Sequence, residues 1–191
     1  MKTPIFIFVF SFFMLLTSFG YTQGRKKIKQ YKIKTLTIKK TIPSEKGELK
    51  LVRDSYKKFD KSGNTLEEMK FDKMGNFKSR YAWKYNGSND PVEELKYDEK
   101  GNLMKKTVYD YDVEDDLKSE TVFDGQGKKI KRIDYRYNAQ GEKTEEIVLD
   151  EGGNVVEKSL FSYTKDGLKA GKKTFDKKGK IIEEVEYLYE F

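Results

Sequence analysis

Apolar and polar residues alternate along short segments of the chain from about residue 48 onward. Each segment has about eight to ten residues rich in Thr, Val, Ile and Tyr, and most are separated by Asp-x-x-Gly. Alternation with a period of two is typical of a β-strand that has two different faces. Asp accepts backbone hydrogen bonds at the start of a turn, and Gly adopts the left-handed conformation that closes it. The pattern predicts strands joined by tight turns, with successive strands antiparallel.

The turns recur with a spacing that alternates between 12 and 14 residues. The anchor residues that begin them, or occupy the equivalent place, are Asp60, Asp72, Asn86, Asp98, Asp112, Asp124, Asn138, Asp150, Thr164, Asp176 and Glu190. Asn89 and Asp115 replace the expected Gly in two turns, and both residue types tolerate positive φ. The unit is therefore 26 residues long and contains two strands. We expect an all-β fold, an antiparallel meander of about 11–13 strands in an extended or curled sheet, with one or two strands contributed by residues 27–40.

Both spacings are even, so we expect equivalent positions of all strands to share one face of the sheet. This face would carry an aromatic ladder from the strands that end each 14-residue gap, formed by Trp83, Tyr85, Tyr109, Tyr111, Tyr135, Tyr137, Tyr163, Tyr187 and Tyr189. The other strands would add Met69, Phe71, Leu95, Tyr97, Thr121, Phe123, Ile147, Leu149 and Phe175 to the same face. Such a band would normally be covered, by curling, by a second sheet layer or by a partner. The ladder is therefore either a core stripe or a ligand-binding surface.

The N-terminal part of the chain differs from the repeats. Residues 1–20 contain one Lys, an apolar run and then small residues, a pattern that indicates a secretory signal peptide cut after Gly20, or nearer Gln23. The alternative is an uncleaved membrane anchor. We divide the chain into this signal, a basic segment over residues 21–47 with the first strands, and the repeat domain over residues 48–191.

The net charge of +7 is concentrated near the N-terminus, because residues 21–58 hold 13 Lys or Arg against three acidic residues. This segment is either a solvated strand or an attachment site for an anionic surface, through Arg25, Lys26, Lys27 and Lys29. Export argues against nucleic acid as the natural ligand.

The composition limits the chemistry. The chain has no Cys and no His, which removes disulfides, thiol catalysis, the usual general base and most zinc sites. No phosphate-binding Gly loop is present, since the glycines are mostly spread singly at turns. We expect no catalytic centre, no cofactor and no metal site.

The segments "YDEKGNLMKKTVYDYD", "FDGQGKKIKRIDYRYN" and "FDKKGKIIEEVEYLYE" resemble the YD repeats of RHS-type proteins, over residues 59–191. The resemblance implies a β-strip that spirals, in some members into a shell around a toxin segment. This chain is far shorter and lacks the Arg that usually follows the repeat Gly, so neither shell nor toxin is expected. A weaker similarity is to MORN-type repeats.

These observations lead to two functional hypotheses. The first is an exported, non-enzymatic binding or scaffold protein at the bacterial cell envelope or outside the cell, with a protein or glycan partner. The alternative is an immunity or antitoxin-like protein that binds an exported toxin.

Overall fold

A computed structural model describes residues 25–43 and 49–190 of the chain, so the signal peptide proposed for residues 1–20 lies outside the described residues. The described residues form twelve strands. They are β1 (Thr35–Pro43), β2 (Leu49–Phe59), β3 (Thr65–Phe71), β4 (Phe77–Tyr85), β5 (Pro91–Tyr97), β6 (Leu103–Tyr111), β7 (Leu117–Asp124), β8 (Lys129–Tyr137), β9 (Lys143–Leu149), β10 (Val155–Tyr163), β11 (Lys169–Asp176) and β12 (Ile181–Glu186).

All twelve strands belong to one sheet, in the order of the chain, and every neighbouring pair is antiparallel. The sheet is not closed, so the predicted all-β meander of about 11–13 strands is confirmed. We call the even-numbered strands from β2 to β12 the long strands, because those from β4 onward span the 14-residue gaps and β2 occupies the equivalent place before the first anchor. The odd-numbered strands from β3 to β11 are the short strands. Residues 25–30 are helical, so the segment predicted to contribute one or two strands contributes only β1.

The ten turns between β2 and β12 share one geometry. In the turn after β5, the Gly101 amide donates to the Asp98 carbonyl oxygen at 3.2 Å, and the Asp98 amide donates to the Asn102 carbonyl oxygen at 3.0 Å. The Asp98 carboxylate accepts from the Lys100 amide at 2.9 Å and from the Asn102 amide at 2.8 Å. Gly101 has φ of 82°. The predicted roles of the anchor and the Gly are confirmed, as is positive φ at Asn89 and Asp115.

Each of these ten hairpins also has a register shift at the pair nearest its turn. Between β4 and β5, Tyr85 pairs with Pro91 but Lys84 pairs with Glu93, so Val92 is an extra residue, a β-bulge. One extra residue moves all later side chains of its strand to the other face of the sheet. At every hairpin the bulge therefore places equivalent positions of the two paired strands on opposite faces of the sheet, although their spacing is even. After two hairpins, equivalent positions lie on the same face again.

The prediction that both strand types place their apolar residues on one face is consequently wrong. Trp83 pairs with Glu94, whereas Leu95 pairs with Ala82, and paired residues share a face. We call the surface of Trp83 and the other ladder residues the ladder face, and the second surface the opposite face. The same pairing rule puts the nine residues named for the short strands on the opposite face, namely Met69, Phe71, Leu95, Tyr97, Thr121, Phe123, Ile147, Leu149 and Phe175.

The sheet has almost no apolar core. Among the described residues, only three hydrophobic side chains are buried, those of Val52, Phe59 and Val122. The described strands form a single sheet, so no second layer of strands packs against the ladder. The ladder is therefore not the stripe of a sandwich core, and most of its residues are half-buried within their own face.

Candidate binding site on the ladder face

The tyrosine that ends a long strand fastens two hairpins together. The hydroxyl of Tyr111 donates to the carbonyl oxygen of Pro91 at 2.8 Å, twenty residues earlier, where β5 begins after its turn. Equivalent bonds join Tyr85 to Thr65, Tyr137 to Leu117 and Tyr163 to Lys143, at 2.8, 3.0 and 2.9 Å. These four predicted site residues therefore join neighbouring strands at the end of the sheet where the long strands finish. Their hydroxyls are committed to the backbone.

The ladder residues two positions earlier have different partners. The Trp83 ring stacks on Tyr81, with centroids 5.9 Å apart and planes at 14°, and its indole NH donates to a carboxylate oxygen of Glu94 at 3.1 Å. The hydroxyl of Tyr135 donates to a carboxylate oxygen of Glu120 at 2.9 Å. In both cases an aromatic ring on a long strand is joined to a carboxylate on a neighbouring short strand, the following strand for Trp83 and the preceding strand for Tyr135.

Burial shifts the pKa values of three groups at the centre of the ladder face. Burial raises the pKa of Glu120 above its ordinary value, although the hydrogen bond from Tyr135 opposes the shift. Burial also raises the pKa of Tyr109 and of Tyr135, and the nearby Glu120 charge raises both further. The hydroxyls of Tyr109 and Tyr135 therefore stay protonated, next to carboxylates of the ladder face.

Lysine side chains lie over the aromatic rings on this face. The ammonium of Lys143 is 4.8 Å from the ring centroid of Tyr135 and 4.7 Å from that of Phe161, and it also pairs with Glu146 at 2.8 Å. Such contacts let the lysine stem cover apolar surface while the charge reaches water. Flexible side chains, instead of a second layer, provide the cover for this part of the ladder.

Sequence reasoning missed the carboxylates and lysines of the ladder face. Glu68, Glu94, Glu120 and Glu146 recur every 26 residues, eight positions after an anchor, and this recurrence was a readable signal. The bulges hid it, because without them these residues would fall on the opposite face. Of the predicted ladder residues, only Tyr189 lies among the exposed large hydrophobic side chains, with 44% of its surface accessible.

The opposite face is held by ion pairs across strands. The carboxylate of Glu93 lies 2.7 Å from the ammonium of Lys84 and 2.7 Å from that of Lys106, and these two charges lower the pKa of Glu93. Two 26-residue units later, the carboxylate of Glu145 lies between Arg136 and Lys158, at 3.0 and 2.9 Å.

The basic residues predicted to contact an anionic surface lie at one corner of the sheet. Arg25 approaches the first repeat turn, where its guanidinium is 3.4 Å from the side-chain oxygen of Asn64. A Cβ at Gly63 would lie 2.6 Å from the Arg25 carbonyl oxygen, so this contact requires glycine there. Lys26, Lys27 and Lys29 are exposed on the same helical turn.

Within residues 25–43 and 49–190, no group of three or more carboxylates is placed to hold a metal ion. No helix in that part of the chain is long and apolar enough to cross a membrane.

Comparison with known proteins gives no family. No family model and no curated protein matches the chain. Among solved structures, the TcdB2-TccC3-Cdc42 complex matches 81% of this chain at 15% identity and a TM-score of 0.43, and this chain spans 9% of its length. The Tc holotoxin pore of Photorhabdus luminescens matches 80% at 9% identity and 0.30, over 11% of its chain. A porin-like protein of Bacteroides uniformis matches 80% at 12% identity and 0.35, over 82% of its chain.

Proposed function

We propose that this chain is a short exported relative of the YD-repeat proteins and acts as a non-catalytic binding or scaffold module, at the bacterial cell envelope or outside the cell. The observation that supports the proposal is the ladder face: a row of half-buried aromatic rings and carboxylates that no second strand layer covers in the described part of the chain. An aromatic surface with fixed polar groups is suited to recognition, because rings supply contact area and the polar groups supply orientation.

The shape of the row favours an extended partner. Equivalent groups recur every two strands, a distance of about 10 Å at the usual strand spacing. A glycan or peptide chain lying across the strands would meet an aromatic ring for stacking and a carboxylate for hydrogen bonding at four successive steps, since Lys172 replaces the carboxylate in the fifth unit.

The experiment is a glycan array and an extended-peptide library, probed with the purified protein and with two variants. Trp83→Ala removes a ring and an indole donor from the ladder face. Tyr97→Ala is the matched control, because Tyr97 lies on the opposite face, under Arg80 at 4.1 Å. We expect binding to fall at least tenfold in Trp83→Ala and to stay unchanged in Tyr97→Ala, with both variants retaining the β-sheet circular dichroism spectrum.

Other results would redirect or end the proposal. Equal loss in both folded variants would remove the ladder face as the contact surface. Binding that disappears in high salt and in Lys26→Gln/Lys27→Gln, but survives Trp83→Ala, would assign the partner to the basic corner. Capture of a co-exported toxin by the purified protein, with no binding to glycans or peptides, would support the immunity alternative.

A further inference from the structure

The sheet ends in two strand edges that no described residue pairs with. β1 pairs only with β2, and β12 pairs only with β11. An open strand edge presents unsatisfied backbone donors and acceptors and is a template for another strand. Large apolar side chains are exposed beside both edges: Leu36 and Ile38 on β1 keep 43% and 40% of their surface, and Ile181 and Ile182 on β12 keep 46% and 55%.

The direction of the two edge strands allows the sheet to continue from one molecule into the next. The sheet has an even number of strands and all neighbours are antiparallel, so β1 and β12 run in opposite directions. A second copy placed beside β12 in the same orientation therefore presents its β1 antiparallel to β12. The alternation of long and short strands also continues across the contact. β12 is a long strand, and β1, which precedes the long strand β2, occupies the position of a short strand.

The charges of the two edges are opposite. β1 holds Lys39 and Lys40 and no acidic residue, and residues 25–34 just before it hold six more Lys or Arg. Residues 181–190, by contrast, contain Glu183, Glu184, Glu186 and Glu190 and no basic residue. Glu183 and Glu184 already pair with Lys172 and Lys173 of β11, at 2.6 and 3.0 Å, so Glu186 and Glu190 carry most of the excess. Like strands would repel: β1 against β1 opposes lysines, and β12 against β12 opposes glutamates.

We infer that the protein assembles end to end with further copies of itself, β12 of one copy pairing with β1 of the next. The contact is heterologous, so it leaves a free edge at each end and continues into a strip unless the twist closes it into a ring. The ladder face then extends without interruption over many copies. This assembly does not depend on the proposed binding function, because it uses the edges of the sheet and not its face.

Backbone geometry identifies substitutions that block one edge only. The Tyr187 amide donates to Ala170 of β11, so by alternation the Glu186 amide points away from β11. The Phe59 amide donates to the Lys34 carbonyl oxygen, so by the same rule the Thr37 amide points away from β2. Proline at either position removes a backbone donor that points away from the sheet. The backbone hydrogen bonds of β1 to β2 and of β12 to β11 stay in place.

The test is sedimentation velocity over a range of concentrations with the purified protein, Thr37→Pro and Glu186→Pro. The unaltered protein should form species larger than a dimer, and their proportion should fall as NaCl is raised. Each proline variant alone should be monomeric. An equimolar mixture of the two variants should form dimers and nothing larger, because only one pair of intact edges remains.

Three outcomes would overturn the inference. The unaltered protein could be monomeric at every concentration. Glu186→Pro alone could still dimerise, which would indicate β1 pairing with β1. The mixture could remain monomeric while both variants keep the circular dichroism spectrum of the sheet. If a proline variant unfolds, Glu186→Lys serves in its place, and unchanged assembly in that charge reversal would count against the proposed edge.

Discussion

Four tyrosine hydroxyls each donate a hydrogen bond to the backbone carbonyl oxygen twenty residues earlier. These bonds join neighbouring strands at the end of the sheet where the long strands finish. The tyrosine stands where a long strand ends and its acceptor stands where the previous short strand begins. In a sheet with few buried apolar residues, such a bond between non-adjacent parts of the chain contributes a larger share of the stability than it would in a protein with a full core.

Tyr111→Phe should therefore lower the free energy of unfolding by about 0.5–1.5 kcal/mol, the usual net value of one hydrogen bond. Tyr31→Phe is the matched control, since Tyr31 keeps 69% of its surface exposed and should change stability little. Urea denaturation followed by circular dichroism measures both. Equal losses in the two variants would show that the bond to Pro91 contributes nothing particular.

Two glutamates on opposite faces should respond to neutralisation with opposite signs. The pKa of Glu120 is raised in the folded protein by burial, so its stability contribution falls as pH rises from the ordinary value of 4.5 through the folded pKa. The pKa of Glu93 is lowered by Lys106 and Lys84, so its contribution is present above the ordinary value and is lost as pH falls.

At pH 7, Glu120→Gln should be as stable as the unaltered protein or more stable, because the amide keeps an acceptor for Tyr135 without a desolvated charge. Glu93→Gln should be less stable by about 1 kcal/mol or less, the range of partly exposed ion pairs. Thermal melts at pH 4 and pH 7 test both, and the difference for Glu93→Gln should shrink at pH 4. Destabilisation of Glu120→Gln at pH 7 would contradict the assigned role of burial.

At the scale of the strands, the bulge beside each turn makes two hairpins the smallest exchangeable unit. One hairpin moves the sequence pattern to the other face, and the second returns it. Removal of residues 99–124 joins Asp98 to Gly125, so Asp98 becomes the anchor of a complete turn. β8 then pairs with β5, and it takes the direction and the faces that β6 had.

The 26-residue deletion should therefore fold into a ten-stranded protein with the same spectrum per residue and a cooperative melt, since strands contact mainly their chain neighbours. Tyr137 would then reach the Pro91 carbonyl oxygen in place of Tyr111. Removal of thirteen residues, 99–111, is the matched control and should fail to fold, because it removes one strand instead of two and moves the ladder residues of every later strand to the opposite face. A folded thirteen-residue deletion, or an unfolded 26-residue one, would refute this unit.

At the scale of the whole molecule, the strand number, the antiparallel order and the turn chemistry were predictable, because each depends on local residues such as Asp98 and Gly101. The faces were not, because a bulge residue such as Val92 differs in no compositional way from its neighbours. The predicted grouping of Leu95 and Tyr97 with Trp83 failed for this reason.

The site was predictable only in part. All nine ladder positions were named, but sequence reasoning did not separate the two kinds of aromatic. A signal existed in the strands that span the 14-residue gaps. The residue just before the anchor is Tyr in all five, as in Tyr111 and Tyr163, whereas Trp83 and Phe161 replace Tyr two positions earlier. The hydroxyl is required at the first position for the backbone bond and is dispensable at the second. The helical turn over residues 25–30 was missed because its lysines also suit an exposed strand.

The exchangeable pair of hairpins has a consequence for how such a protein can change over time. Twelve strands at about 4.8 Å spacing give a sheet about 50 Å wide, and each gained or lost unit would change that width by about 10 Å. Such a change would leave most of the surface chemistry intact, since every unit brings its own ring and turn, and four of the five units bring the carboxylate. Gene duplication within the repeat can therefore change the width of the sheet in fixed steps while most of the ladder face keeps its chemistry.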